Sequence, residues 1–511
     1  MVKAGIEKGA GHEMFEKKIF RSDMIRCALC TDAPCTGACG KLDAAALLRS
    51  IWFDNEKGAA SRLPEGSPCT DCAAPCEAAC VRAGEVPIRK LVTRLYDEVR
   101  PQLEIKAPES EDRLRTDLCG IPLENPFLLS SSVVGSTYDM CARAFEAGWA
   151  GVSFKTICGF DIHEASPRFS AITGDNGSII GFKNIEQLSD HSLEENMEIF
   201  RRLKARYPTK FILASIMGRD DAEWEALARA CEENGADAVE LNFSCPNMAD
   251  GSLGSHIGQV PELVERFTAA ARRGAKIPLL AKLTPNVAAM SPAAEAAKRG
   301  GADGIAAINT IMSVIGVNPH TYVSAPAVHG MSAVGGYSGS AVKPIALRFI
   351  AELRQNPALS GMHLSGMGGV ESWSDALEFI LLGADSIQVT TAVMQYGYRI
   401  IDDLKAGLNL YLAEKGFESV KDARGLALDS VSSTTDVLER GTVVFPKIHR
   451  AECIGCGRCV TSCADGGHQA LRLGEDRKPI LNGKRCVGCH LCVLVCPAKA
   501  ITSSGKRVRK D

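Results

Sequence analysis

Between about Arg115 and Ser430 the chain alternates short apolar runs with longer amphipathic stretches, eight times over. The apolar runs FLLSSS (127–132), GVSFKT (151–156), FILASIMG (211–218), AVELNFSCP (238–246), PLLAKLTP (278–285), GIAAINT (304–310), MHLSGMGG (362–369) and SIQVTTAV (386–393) predict strands. Segments such as YDMCARAFEAG, LEENMEIFRRLKARY, DAEWEALARACEENG, PELVERFTAAARRG, PIALRFIAELRQN, SWSDALEFILLG and YRIIDDLKAGLNLYLAEKG predict helices between and after them. Parallel strands need such a crossover helix. Eight βα units predict a TIM barrel, with extra length in excursions after the second and sixth strands. A doubly wound open sheet is the structural alternative.

Catalytic groups of a TIM barrel gather at the C-terminal ends of its strands. The polar residues that look out of place in these runs sit at those ends: Lys155, Asn242, Cys245, Lys282, Asn309 and Thr310. After the seventh strand SGMGG supplies Gly366, Gly368 and Gly369, and the eighth ends in Thr390 and Thr391. Barrels commonly hold a phosphate between these two loops, where glycines let backbone N–H groups approach an anion. Without the threonines and the barrel, such glycines mark only a tight turn.

With 511 residues, 46% hydrophobic and 23% charged, the composition is that of a soluble globular protein of two or three domains. A formal net charge of -3 argues against a nucleic-acid partner, and the basic tail GKRVRK is too short to alter that. No run approaches the ~18 apolar residues of a membrane helix. The start MVKAGIEKGAGHEMFEKK has no apolar signal region, so the expectation is a cytoplasmic protein without a membrane partner.

The cysteines change the picture. Sixteen of 21 fall into four tight quartets, two near each end. Cys453, Cys456, Cys459 and Cys463, then Cys486, Cys489, Cys492 and Cys496 followed by Pro497, write C-x2-C-x2-C-x3-C twice. In that pattern each run gives three thiolates to one [4Fe-4S] cube and its fourth to the other. One cluster therefore takes Cys453, Cys456, Cys459 and Cys496, and the second takes Cys486, Cys489, Cys492 and Cys463. Disulfides would need an oxidising compartment, and zinc knuckles would show paired C-x2-C spacing. The N-terminal quartets, Cys27, Cys30, Cys35 and Cys39, then Cys69, Cys72, Cys76 and Cys80, are less regular. Two further cubanes fit them, and two zinc knuckles are the competing reading.

With clusters on both flanks, the natural phosphate carrier in the barrel is FMN, which takes two electrons and releases them singly. Lys155 and Lys282 would set positive charge beside its ring; a solvated lysine is the bland alternative. Cys245, in NFSCPN, is the candidate acid/base. A thiol stays protonated at neutral pH where Asp or Glu has lost its proton. Cys119, Cys141, Cys158 and Cys231 read as inert core residues. The glycine-rich segment after Cys245 suits a loop that closes over a ligand.

The stretches NPFLLSSS, GFKNIEQ, ELNFSCPN, AKLTPN, AAINT, GGYSGSAVKPIALR, SGMGG and QVTTAVMQYGYR closely resemble catalytic subunits of bacterial NAD-dependent dihydropyrimidine dehydrogenases, and more distantly dihydroorotate dehydrogenases. The resemblance spans about 115 to 500. It implies Cys245 as proton donor and Asn184, Asn242, Ser244, Asn309 and Thr310 as pyrimidine-binding residues. It implies FMN contacts at Ser131, Lys155, Thr156, Lys282, Gly339, Gly368, Gly369, Thr390 and Thr391. Three asparagines suit the neutral imide edge of uracil. The N-terminal stretch resembles the helical iron–sulfur domain of eukaryotic dihydropyrimidine dehydrogenase and the glutamate synthase small subunit. That resemblance implies one cluster on Cys27, Cys30, Cys35 and Cys80, and another on Cys39, Cys72 and Cys76 with Cys69 as fourth ligand.

The expected organisation is a helical iron–sulfur domain (1–105), an FMN-binding TIM barrel (113–430) and a two-cluster ferredoxin-like domain (444–505). No G-x-G-x-x-G opens a helix after a strand, so FAD and NAD(P)H are expected on a partner oxidoreductase subunit, in a hetero-oligomer. The expected reaction is reduction of the 5,6 double bond of uracil or thymine. The rival readings are dihydroorotate-type oxidation, an electron-transfer subunit serving another substrate, and a tRNA dihydrouridine synthase, which would need an RNA-binding surface.

Overall fold

A computed structural model describes residues 19–82, 84–174, 178–248 and 253–509. Residues 23–431 form one compact unit, and residues 432–509 with residues 19–22 form another.

The larger unit is built on a closed eight-stranded barrel. Its strands are Phe127–Leu129, Gly151–Ser153, Phe211–Ile216, Ala238–Phe243, Leu279–Leu283, Gly304–Ala307, His363–Met367 and Ser386–Val389, and every neighbouring pair is parallel. Each predicted run contains one strand. The open-sheet alternative is excluded by closure. The strands stop short of the predicted runs, because ladder pairing ends at the rim while the apolar sequence continues into the loops. Lys155, Cys245, Asn309, Gly368 and Thr390 therefore stand one or more residues beyond the ladder, and Asn242 and Lys282 remain within it.

Helices Tyr138–Ala147, Leu193–Arg206, Asp221–Glu233, Pro261–Gly274, Ser291–Arg299, Lys343–Gln355, Trp373–Leu381 and Ile400–Glu414 return the chain. Their starts are written locally. Thr137 and Asp220 accept N–H bonds as N-caps, and Ser192 with Glu195 and Ser372 with Asp375 form reciprocal capping boxes. The hairpin Thr116–Leu118 and Ile121–Leu123 packs Leu118 and Leu123 against Leu128, Phe211 and Leu280 of the barrel strands. Cys119 lies in its turn at φ 50 and is partly exposed, unlike the buried Cys141, Cys158 and Cys231.

The two excursions are not independent loops. Phe169–Thr173 and Ile179–Asn184 come from the first, Ile311–Ser313 and Gly335–Ser338 from the second, and the four strands form one sheet. Gly336 pairs with Asn184 and Tyr337 with Lys183, which brings the loops of the second and sixth barrel strands together.

The expected boundary between residues 105 and 113 falls inside this unit. The N-terminal helices include Pro34–Cys39, Ala44–Trp52, Glu56–Ser61 and Ile88–Arg94, of which Ala44–Trp52 and Glu56–Ser61 reach the last barrel helix. Arg49 pairs with buried Asp403 at 2.6 Å, Ser50 donates to the same carboxylate at 2.9 Å, and Trp373 donates to the Asp54 carbonyl at 2.7 Å.

In the smaller unit Thr442–Ile448 pairs antiparallel with Ile501–Arg509, and a hairpin joins Leu471–Leu473 to Pro479–Leu481. Cys459, Leu471, Cys492 and Ile501 form its core.

Candidate active site and cluster sites

One cleft of about 1100 Å³ opens on the barrel rim. Every residue expected at the site lines it except Ser244 and Gly366, the latter lying within the seventh strand with its Cβ position against Phe379. Ser244 is fully buried, and both its N–H and hydroxyl donate to Asn242 Oδ1, at 3.2 and 2.8 Å. Its oxygen in turn accepts from Asn309 Nδ2 at 2.7 Å. It holds two cleft asparagines in place instead of reaching the cleft itself.

The site is one hydrogen-bonded chain. Ser131 Oγ meets Thr156 Oγ1 at 3.1 Å, Asn242 Nδ2 donates to Thr156 Oγ1 at 2.9 Å, and Ser244 passes the chain to Asn309. Asn309 Oδ1 accepts from the backbone N–H of Thr310 at 2.7 Å. Residues expected on the flavin and residues expected on the substrate thus share a single framework. Across the cleft, Ser132 meets Thr390 at 3.2 Å and Ser338 meets Thr391 at 2.9 Å.

Both lysines come with carboxylates. Lys155 lies 3.1 Å from Glu186 and 3.5 Å from Glu164, and Lys282 lies 3.2 Å from Glu240. Burial pushes Glu186 above the ordinary carboxylate range, with Lys155 opposing the shift. Cys245 is buried, and burial pushes its thiol up to about 11, while the Asn247 backbone N–H and Lys282 pull the other way. It is therefore a protonated acid at neutral pH.

The cleft fits a flavin phosphate and ring. Gly339, Gly368 and Gly369 adopt φ of 94, 120 and 81°, and a Cβ on Gly369 would stand 2.9 Å from the Gly339 carbonyl and the Lys343 nitrogen. Only glycine leaves that backbone open to an anion. Two buried acceptors among the lining residues, Asn247 Oδ1 and Gln388 Oε1, have no protein partner.

Cysteines distant in sequence lie close to one another. The Cys27 thiol is raised by burial and then by Cys30, Cys35 and Cys80, and all four line one cavity. Cys69 is raised by burial, Cys72 and Cys39, and Cys76 is pushed up to about 11 by burial, Cys39 and Cys69. In the smaller unit Cys459 is raised by burial and by Cys496, Cys453 and Cys456. Cys492 is pushed up to about 11 by burial, with Cys489, Cys459, Cys463 and Cys486 adding to it. Thiols that keep one another protonated become ligands when a metal replaces the protons. Among the described residues no three Cys, His, Asp or Glu converge as they do round a single ion.

Sequence reasoning missed Glu186, Gln187, Asn247 and Gln388 in the cleft, and Glu240 behind it. A Glu inside the apolar run AVELNF was the available signal for the last. The others lie beside recognised residues and are told apart from neighbours only by the fold.

A closed parallel barrel with paired lysines, a glycine cradle and a protonated cysteine, in a chain that carries ferredoxin-type cysteine runs, defines a flavin- and iron–sulfur-dependent oxidoreductase. Residues 113–412 match the family model for dihydroorotate dehydrogenase, and residues 446–503 match that for a 4Fe-4S dicluster domain. The chain belongs to the dihydroorotate dehydrogenase family. It is 50% identical over 398 residues to NAD-dependent dihydropyrimidine dehydrogenase subunit PreA of Escherichia coli (strain K12), covering 78% of this chain and 97% of that one. It is 38% identical over 346 residues to chloroplastic dihydropyrimidine dehydrogenase (NADP(+)) of Arabidopsis thaliana, covering 65% and 81%. It is 37% identical over 319 residues to the catalytic subunit of dihydroorotate dehydrogenase B (NAD(+)) of Pyrococcus abyssi, covering 62% and 99%. No helix among the described residues is long and apolar enough to cross a membrane.

Proposed function

We propose that this chain reduces the 5,6 double bond of uracil or thymine, as the catalytic subunit of a dihydropyrimidine dehydrogenase. The observation that carries this reading is a buried, protonated Cys245 in the same cleft as Asn184, Asn242 and Asn309. FMN held by Ser131, Lys155, Thr156, Lys282, Gly339, Gly368, Gly369, Thr390 and Thr391 would supply reduction at C6, fed with single electrons by [4Fe-4S] clusters. The protein's part is the proton. Cys245 delivers it to C5, and a positioned general acid contributes on the order of 10²–10⁴ in rate. Asn242 and Asn309, fixed by Ser244, and Asn184 each keep an N–H for the ring carbonyls, and Thr310 completes that edge.

In the proposed organisation, residues 1–105 hold two clusters on Cys27, Cys30, Cys35 and Cys80, and on Cys39, Cys69, Cys72 and Cys76. The barrel spans 113–430. Residues 444–505 hold two more, and a partner subunit carries FAD and NAD(P)H. The name of the Escherichia coli relative, a subunit, supports assembly with such a partner.

Likeness to a dihydroorotate dehydrogenase B catalytic subunit favours a second reading, oxidation of a ring bearing a carboxylate. A carboxylate needs a cation, and the two lysines lining the cleft are already paired with Glu186 and Glu240. Bleaching of the flavin by dihydrouracil and not by dihydroorotate separates the two. Cys245→Ala is expected to keep FMN and lose pyrimidine reduction; a fully active variant overturns the proposal.

A further inference from the structure

The helices before residue 113 lie outside the dihydroorotate dehydrogenase match, and they bring one cysteine set close to the flavin cleft. A short helix, Thr391–Tyr396, follows the eighth barrel strand, and its Thr391, Ala392 and Met394 line the cleft. Its last residue faces the N-terminal helices. The Tyr396 ring lies edge-on to Phe53 at 5.2 Å and to Trp52 at 6.4 Å. Both aromatics are buried at the end of Ala44–Trp52, whose Ala45, Leu48 and Arg49 line the cavity of Cys27, Cys30, Cys35 and Cys80. Arg399 completes the connection. Its Nε donates to the Tyr396 carbonyl at 3.2 Å, its Nη1 to the Cys30 carbonyl at 3.1 Å and its Nη2 to that of Leu29. One planar guanidinium thus joins the end of the cleft helix to the cysteine loop.

We infer that the cluster of Cys27, Cys30, Cys35 and Cys80 is the flavin's direct electron-transfer neighbour within this chain, so that the N-terminal helices wire the barrel from the side of its eighth strand. The inference rests on the FMN and N-terminal cluster assignments above and names which cluster meets the flavin. Electrons cross bonded, close-packed protein more readily than a water-filled gap. Here the route is helix backbone from Met394 to the Tyr396 carbonyl, one guanidinium, and the carbonyl of a ligand cysteine. Packed aromatic rings fill the space beside it. Each transfer takes one electron from the reduced cluster and gives it to the flavin. Two transfers, with two protons from water, complete the flavin's reduction, and the hydride donor on the partner subunit replaces the electrons.

The test is magnetic and needs no pyrimidine. The full chain, reconstituted with iron, sulfide and FMN, is titrated with dithionite in the absence of air, and the microwave power that saturates its flavin electron paramagnetic resonance signal is measured. A paramagnetic cluster close by relaxes that signal, so saturation should need more power once the clusters are reduced. This enhancement is expected to persist in Cys456→Ala, which lacks a C-terminal ligand, and to be lost in Cys30→Ala. No enhancement in the native chain, or enhancement kept in a Cys30→Ala protein that has lost its cluster, overturns the inference. Enhancement lost in Cys456→Ala overturns it even if Cys30→Ala fails to fold, because the C-terminal clusters then serve the flavin. Iron content keeps the underlying assignment separate. Cys30→Ala should hold about four irons fewer per chain, and a variant with native iron content overturns the N-terminal cluster assignment itself.

Discussion

Glu240 and Lys282 meet at 3.2 Å inside the barrel, with 0% and 3% of their side chains exposed. The second carboxylate oxygen of Glu240 accepts from Gln388 Nε2 at 3.2 Å, and the same nitrogen reaches Ser365 at 3.1 Å. Ser386 donates to Ser365 at 2.9 Å and meets His363 Nε2 at 2.9 Å. Barrel interiors are normally filled by layers of branched apolar side chains. Here a polar thread runs through that space from the cleft lysine to His363, which burial keeps neutral by lowering it to about 4.

Glu240→Gln leaves the Lys282 charge buried and unpaired. Breaking a buried pair from one side costs about 3–5 kcal/mol. A bound anionic cofactor would offset part of this, so the melting temperature is expected to fall further in the apoprotein than in the FMN-loaded protein. Equal falls in both would place the Lys282 charge out of reach of the cofactor.

The Cys245 thiol predicts different pH behaviour in the two directions. With its pKa pushed up to about 11, the acid form dominates throughout the neutral range. Pyrimidine reduction by the reduced flavin should be flat between pH 7 and 9. Dihydropyrimidine oxidation needs the thiolate as base, and should rise roughly tenfold per pH unit over the same range. Single-turnover flavin absorbance measures both, and identical profiles would remove Cys245 from the proton transfer.

Gly369→Ala forces a side chain into a backbone at φ 81°, with its Cβ 2.9 Å from the Gly339 carbonyl. Strain of this kind costs about 1–3 kcal/mol. The protein should fold but purify with a much lower flavin-to-protein ratio, read from absorbance, while its iron content stays constant.

Arg399 follows the eighth barrel strand, yet it lines the cavity of Cys27, Cys30, Cys35 and Cys80. It donates to the Cys30 carbonyl at 3.1 Å and also to that of Leu29, a residue held at φ 48°. Hydrogen bonds from a charged donor contribute about 1.5–3 kcal/mol. Arg399→Gln is expected to lower iron per chain and to lose one cluster signal in electron paramagnetic resonance first, with FMN content unchanged. Full iron content in the variant would show that the loop holds its cluster unaided.

The eight barrel strands and their helices could be read along the chain because their cause is local. Strand burial, helical periodicity and capping residues such as Ser192 and Ser372 act within a few positions. Strand ends were read too long for a related reason. Apolar residues continue past the rim at Phe154 and Ile308, which are buried and lie beyond the regular strands, each giving one backbone N–H to the neighbouring strand, at Leu213 and Met367. Ser244 illustrates a different limit. A serine between Asn242 and Cys245 looks like a ligand contact, and only its neighbours show that it faces Asn242 and Asn309.

Chemical identity lay in the order of residues: the spacing of cysteines, the glycines of SGMGG and one cysteine at a strand exit carry reactivity that no fold is needed to recognise. Partnership did not. Glu240 for Lys282, Glu186 for Lys155, Asn247 for Asn184 and Cys80 for Cys27 join positions 31 to 63 residues apart, and each pairing exists only because barrel closure or helix packing brings the two together. Charge balance and hydrogen-bond satisfaction are properties of distance in space. They were therefore decided when the chain closed.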